Sequence, residues 1–310
     1  ADFDGATVSI GTGNLTEVAV SGDTTLTVDS GRTDDLTMTG GNVTVGTAEG
    51  GFTLGSVDQS AGSITGLGDT VINGKLTMTG SATGSYDNLT GTIETGSGTR
   101  LEIGSGFELT GSNGGSLVAD NANGSLGNFT NTGNASFGNV SMGGTVSNTG
   151  SMTAKDTTFK GNFTSNGTIT SDKTHVANGG SMSLGGIADL GNTTVDGSVT
   201  VTDGLTNASG TTVTGSGSLT ANGGTANLGN TIVNGGKVSA EGGNIVAGDY
   251  TQTGGSLTVD NGGSLTSGNI NVSDAEVTLG DGNLNASGSI DNSNITITGG
   301  TWGDNLTDMT

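Results

Sequence analysis

Cysteine and proline are both missing from the 310 residues of this sequence, and each absence removes a class of protein. Without cysteine there is no disulfide framework, no thiolate nucleophile and no thiolate metal site. Without proline, no position is barred from donating its N–H to a β-ladder, which suits a chain whose strands are nearly all central. Aromatic residues make up only 3%, with one Trp and two Tyr, and Arg occurs only at Arg32 and Arg100. That is too little stacking and cationic surface to line a sugar-processing cleft. Seven Lys plus Arg against 29 Asp plus Glu leave a net charge of −22, which repels nucleic acid and anionic membrane surfaces. No run approaches the roughly 18 consecutive apolar residues of a membrane-spanning helix, so direct membrane insertion is not expected, and no secretory signal is visible. Ala1-Asp2-Phe3 fits a mature N-terminus left after signal cleavage, and equally a cut made elsewhere.

Low hydrophobicity, at 29%, together with this acidity is the composition of a disordered polymer. The arrangement of the apolar residues argues otherwise. Leu219, Val238, Leu257, Val277 and Ile297 are spaced 19, 19, 20 and 20 apart, and Val213, Ile232, Tyr250, Ile270 and Ile290 are spaced 19, 18, 20 and 20. Leu228, Val246, Leu265 and Leu284 form a third column, and near the N-terminus Leu26, Val45 and Ile64 recur at the same interval, as do Met38, Val57 and Leu76. A fixed period of this size is the signature of a solenoid, in which each repeat buries its apolar side only by stacking on the next. Within a repeat, apolar residues alternate with polar ones, as in Leu257-Thr258-Val259 and Val277-Thr278-Leu279, which is the signal of a strand with one buried face. No stretch carries a 3.6-residue period, and the 63 glycines weaken helices while supplying positive-φ corners between strands. The prediction is an all-β protein, a parallel β-helix (β-solenoid) of about 19–20 residues per coil and roughly sixteen coils, forming one domain over residues 1–310.

The period is uneven in places. Between about residues 85 and 200 it becomes irregular, and Phe107, Phe129, Phe137, Phe159 and Phe163 fall there, which predicts coils of variable length or a bulged cross-section. In the last coil, Ile295 and Ile297 each fit the continuing column. Residues 1–15 and 299–310 carry Asp2, Phe3 and Asp4 at one end and Trp302, Asp304 and Asp308 at the other. They read either as polar caps or as complementary ends through which subunits stack, with Phe3 and Trp302 as end-to-end contacts.

The stretch Gly223-Gly224-Thr225-Ala226-Asn227-Leu228-Gly229-Asn230-Thr231-Ile232-Val233-Asn234-Gly235-Gly236, continued by Lys237-Val238-Ser239-Ala240-Glu241-Gly242-Gly243, resembles the 19-residue repeats in passenger domains of bacterial self-associating autotransporter adhesins. The close match covers two or three coils. The rest matches in period and in Gly/Thr/Asn/Val usage, as secreted haemagglutinin-like β-helices also would. The resemblance implies the right hand of the β-helix and its display outside Gram-negative cells, where it mediates adhesion, self-association and biofilm formation. Nothing in the sequence resembles the C-terminal membrane barrel of that family.

Chemistry is sparse. His175 is the only histidine, so any Ser-His-Asp device must use it, and a solvated loop position is its expected place; Gly-x-Ser triplets carry no signal in so Gly/Ser-rich a chain. No enzymatic activity and no cofactor are expected. Lys155, Lys160, Lys173 and His175 are the densest basic group, read either as a lateral contact patch for an anion or an acidic neighbour, or as a chance cluster on a solvated face. Gly280-Asp281-Gly282-Asn283-Leu284-Asn285 superficially matches a calcium turn, but the nine-residue repeat of calcium β-rolls is missing, leaving only weak, non-specific Ca2+ binding. Thr-x-Thr segments at 37–39, 77–79 and 212–214 raise the idea of an ice-binding ladder, yet they do not recur coil after coil. Asn-x-Ser/Thr triplets at Asn14, Asn88, Asn128, Asn162, Asn207, Asn285 and Asn305 arise readily in this composition. The expected function is therefore adhesion or self-association on an extracellular bacterial surface, with the chain itself or surface glycans or proteins as partner. The alternative is a structural subunit that polymerises end to end into a filament or sheath.

Overall fold

The computed structural model describes residues 1–46, 51–303 and 305–309, the last group in backbone alone. Asp304 and the side chains of Asn305 and Asp308, all singled out above, lie outside the described residues. Every regular element among the described residues is a β-strand, and strands of successive coils pair in parallel. The result is a parallel β-solenoid of about sixteen turns. The chain divides into two compact units, Ala1–Lys155 and Asp156–Thr310.

From Ser198 onward in the second unit the coils keep a nearly even length. Ser198 pairs with Ser218, Ser218 with Lys237, Lys237 with Ser256, Ser256 with Glu276 and Glu276 with Asn294, steps of 20, 19, 19, 20 and 18 along the chain. Short strands meet at corners where a glycine lies against the carbonyl of the coil before. A Cβ on Gly204 would overlap Gly186 O, and one on Gly217 would overlap Val195 O. At these corners the missing side chain is needed for close approach, and positive φ is not the reason. The first unit is built from longer strands that continue through their bends, such as Thr25–Val45 and Phe52–Met78. Its coils shorten toward the middle: Thr83 pairs with Arg100, Arg100 with Ser116 and Ser116 with Asn134, steps of 17, 16 and 18. The uneven period seen in the sequence therefore reflects coil length.

Four of the aromatic residues pack against small partners. Tyr86, Phe107, Phe129 and Phe137 each sit inside, opposite a residue with little or no side chain on an adjoining coil. Tyr86 faces Gly66, Phe107 faces Gly124, Phe129 faces Gly111 and Phe137 faces Ala119. A large ring beside an absent one keeps the local volume nearly constant, which close packing demands. Phe107 and Phe137 also touch, with ring centroids 5.3 Å apart.

The apolar columns exist, but several members differ from those read off the sequence. Val213 stacks on Val233 and Val233 on Gln252, while Tyr250 stacks on Thr231; Ile232 points outward at 48% exposure. Ile245, not Val246, lies between Ala226 and Leu265, and Val246 is 40% exposed. Val277 continues in Ile295, whereas Ile297 follows Leu279. In the first unit Val43 lies under Ile64, and Leu36, not Met38, pairs with Val57. Where two aliphatic residues lie side by side, a fixed repeat length leaves their phase open and the ladder decides which one faces in; where they lie two apart, it decides which column each continues.

One interior column changes chemistry along its length. Met38 pairs with Gln59, Met78 with Thr95, Thr95 with Asn113, Asn113 with Asn131 and Asn131 with Asn148. The three asparagines are buried. Thr95 Oγ1 donates to Asn113 Oδ1 at 2.6 Å, Asn113 Nδ2 to Asn131 Oδ1 at 2.8 Å and Asn131 Nδ2 to Asn148 Oδ1 at 2.8 Å. The second amide hydrogens reach main-chain carbonyls, Asn134 O and Ser151 O, both at 3.0 Å. A buried polar column is stable only when saturated in this way. Asn131→Ala takes from Asn113 its acceptor and from Asn148 a donor. The expected cost is roughly 2–4 kcal/mol, at about 1–3 kcal/mol per stranded buried group, against less than about 0.5 kcal/mol for the outward neighbour Thr130→Ala. Urea midpoints of the two variants check this; equal midpoints would mean that the amide column carries no stability.

Candidate interaction surface

Eight strands of the second unit stack into one face: Asn162–Ser165, Ser181–Leu184, Ser198–Val201, Ser218–Ala221, Lys237–Glu241, Ser256–Asp260, Glu276–Leu279 and Asn294–Ile297. In the first seven the second and fourth residues fill the interior, as Leu257 and Val259 do; in the last, Ile295 is half-buried and Ile297 is exposed. The first and third therefore project outward. The third is a hydroxyl residue in every strand: Thr164, Ser183, Thr200, Thr220, Ser239, Thr258, Thr278 and Thr296, in unbroken register. The first is Ser or Asn except at Lys237 and Glu276, which lie one coil to either side of Ser256.

Across these two columns Lys237 and Glu276 are the only charged groups, and their charges cancel. In a chain of net charge −22, two columns without net charge repel their like less than an acidic surface does. Lys237 and Glu276 are two coil rises apart, roughly 10 Å, too far to pair with each other. Neither forms an ion pair among the described residues. At the edge of the face, Asp260 Oδ1 accepts the N–H groups of Asn261 at 2.8 Å and Asp281 at 3.2 Å. The Asn261 bond first, and the Asp281 bond next, hold its carboxyl below the ordinary aspartate range. That carboxylate is drawn into its own turn. Glu241 is likewise engaged, accepting from Ser239 Oγ at 2.7 Å.

The basic group read from the sequence is placed differently. Lys155 closes the first unit, and Lys160, Lys173 and His175 belong to the second. Lys173 and His175 project from one strand, Thr168–Val176, above Asn192 and Thr194. Each meets an acid: Lys173 Nζ lies 3.9 Å from Asp156 Oδ1, and His175 Nε2 lies 2.8 Å from Asp196 Oδ2. Lys160 is exposed and forms no ion pair among the described residues. Thr214 Oγ1 donates to the other oxygen of Asp196 at 2.6 Å. Hydroxyl and imidazole thus share one carboxylate, and the hydroxyl is not bonded to the imidazole as a nucleophile would be to its base. His175, Asp196 and Thr214 come from three successive coils and pin them together.

Phe3 pairs with Val20 and is half-buried. Trp302 pairs with Leu284, its Nε1 buried without a hydrogen-bond partner among the described residues. Asp281 of the calcium-like turn accepts the N–H of Gly262 at 2.8 Å. Among the described residues no three His, Asp or Glu side chains are grouped to hold a metal ion. The chain matches no family model, no curated protein and no solved structure.

Asp196 titrates below its ordinary range, through the Thr214 hydroxyl first and His175 next. A carboxyl depressed by folding stabilises the fold above the unfolded value of about 4, and that contribution fades as pH falls through the folded value. The stability gap between wild type and Asp196→Asn is therefore full at about pH 6 and closes below about pH 4. Urea titrations over a pH series check it, and a gap that widens toward acid would overturn this account.

Proposed function

We propose that this chain is a non-catalytic β-solenoid of the bacterial cell exterior that binds further copies of itself, so that surfaces bearing it adhere. The observation that carries the reading is the placement of Lys237 and Glu276 symmetrically about Ser256 on a face otherwise covered by hydroxyls and amides. A two-fold axis lying along the strand Ser256–Asp260 turns one such face onto another with coil order reversed and columns preserved. Lys237 of each copy then meets Glu276 of the other, giving two equivalent ion pairs. Thr258 and Asp260 each meet their own counterparts, Ser239 meets Thr278, and Glu241 lies opposite Gly280; each Asp260 carboxylate is held in its own turn by the N–H groups of Asn261 and Asp281.

The size of this contact fits adhesion better than a stable dimer. Five strands overlap in that register, and at about 4.8 Å per strand and 3.3 Å per residue they cover roughly 300 Å² per copy. Stable complexes bury about 1,200–2,000 Å² in total, so a single contact is weak. Many copies on one surface convert weak contacts into firm adhesion. The resemblance of residues 223–243 to self-associating surface adhesins supports the same reading.

Beads coated with the protein test it. Lys237→Glu and Glu276→Lys each turn two attractions into two repulsions and weaken each contact on the order of a hundredfold, at about 1.4 kcal/mol per pair. Beads of either variant should fail to clump alone, while Lys237→Glu beads mixed with Glu276→Lys beads clump again. Wild-type beads that stay dispersed would refute self-association, and single variants that clump like wild type would refute this face.

A further inference from the structure

The sequence contains eight Asn-Gly steps, which would be chemically equivalent in an unfolded chain. The fold makes them unequal. In Asn113-Gly114 the glycine N–H donates to Thr95 O at 2.6 Å, and the asparagine amide is locked in the buried column. In Asn234-Gly235 the glycine N–H donates to Thr253 O at 2.8 Å, and in Asn261-Gly262 it donates to Asp281 Oδ1 at 2.8 Å. Asn166-Gly167, Asn178-Gly179 and Asn222-Gly223 stand apart. All three asparagines are exposed, all three steps lie in corners outside any strand, and neither the asparagine side chain nor the glycine N–H has a hydrogen-bond partner among the described residues.

We infer that Asn166, Asn178 and Asn222 are sites of spontaneous deamidation, set apart by the hydrogen bonding of the glycine that follows. The main-chain nitrogen of the glycine gives its proton to solvent base and attacks the side-chain Cγ of the asparagine. A new N–Cγ bond forms, the Cγ–Nδ2 bond breaks, and ammonia leaves. Water then opens the five-membered imide at either carbonyl, giving aspartate or isoaspartate. An N–H held by a carbonyl or carboxylate must first break that bond, and the held nitrogen is aimed away from Cγ. A free N–H in an exposed corner has neither restraint.

The products matter to the coil. Asn222 lies between the strands Ser218–Ala221 and Thr225–Asn234, and isoaspartate adds a methylene to the main chain at that corner. The corner has little room for it, since a Cβ on Gly223 would already lie 2.5 Å from Thr202 O. Either product also adds a negative charge to an acidic chain.

Folded protein held at mildly alkaline pH, with a portion kept in urea, is digested at intervals and mapped by mass spectrometry for the gain that exchange of an amide for a carboxyl brings. In the folded sample Asn166, Asn178 and Asn222 should convert on the order of fivefold or more faster than Asn113, Asn234 and Asn261, the population cost of first breaking one hydrogen bond. In urea the six rates should converge. The inference is overturned if Asn113, Asn234 or Asn261 converts as fast as the other three in the folded sample. It is equally overturned if Asn166, Asn178 and Asn222 stay intact there while the urea sample converts.

Discussion

The main-chain hydrogen bonds that join each coil to the one before it are the constraint on which everything else in this molecule depends. Lys237 N bonds to Gly217 O, Ser256 N to Gly236 O and Glu276 N to Gly255 O, at 2.9, 3.1 and 2.9 Å. Such a ladder fixes side chain above side chain, so that position within the repeat becomes position on the molecule. It also explains how so few apolar residues suffice. The interior is narrow, its wall is hydrogen-bonded from coil to coil, and short aliphatic side chains fill most of it. The glycines at Gly204 and Gly217 serve the same ladder by letting neighbouring corners close to contact.

Period and phase were not equally legible in the sequence. The repeat length and the alternation within strands were enough for the fold class, since both follow directly from a strand that buries one face in every turn. Phase was harder. Thr231-Ile232-Val233 offers two adjacent aliphatic residues, and only the pairing with Val213 and Gln252 places Val233 inside. Ile245-Val246 poses the same choice and resolves it toward Ile245. The uneven middle of the chain has a volumetric side that a search for repeating apolar residues cannot register. Phe107 against Gly124 and Tyr86 against Gly66 are complementary pairs, each consisting of a ring and the absence of a side chain.

The surface was less legible for a related reason. Lys155, Lys160, Lys173 and His175 look like a cluster when counted along the chain, but Lys173 and His175 meet acids on neighbouring coils. Proximity in sequence is a poor guide in a molecule whose neighbours lie one coil apart. Lys237 and Glu276 are two full periods apart in the sequence and stand in one column with Ser256 between them. Folding the sequence on its own period before looking for charged groups would have found them. The same operation assembles the hydroxyl column from Thr164 to Thr296, which is invisible as a local motif.

The amide column of the first unit has a direction. From Thr95 through Asn113 and Asn131 to Asn148, each side chain donates toward the coil that comes later in the sequence. Head-to-tail dipoles of this kind reinforce one another. A partly wound stack that ends at Asn113 or Asn131 would leave an outstretched N–H awaiting an oxygen, so chain growth and electrical polarity run the same way. A turn that brought an aliphatic side chain over Asn113 or Asn131 would strand that N–H, so the column penalises a slip of register as well as a lost contact.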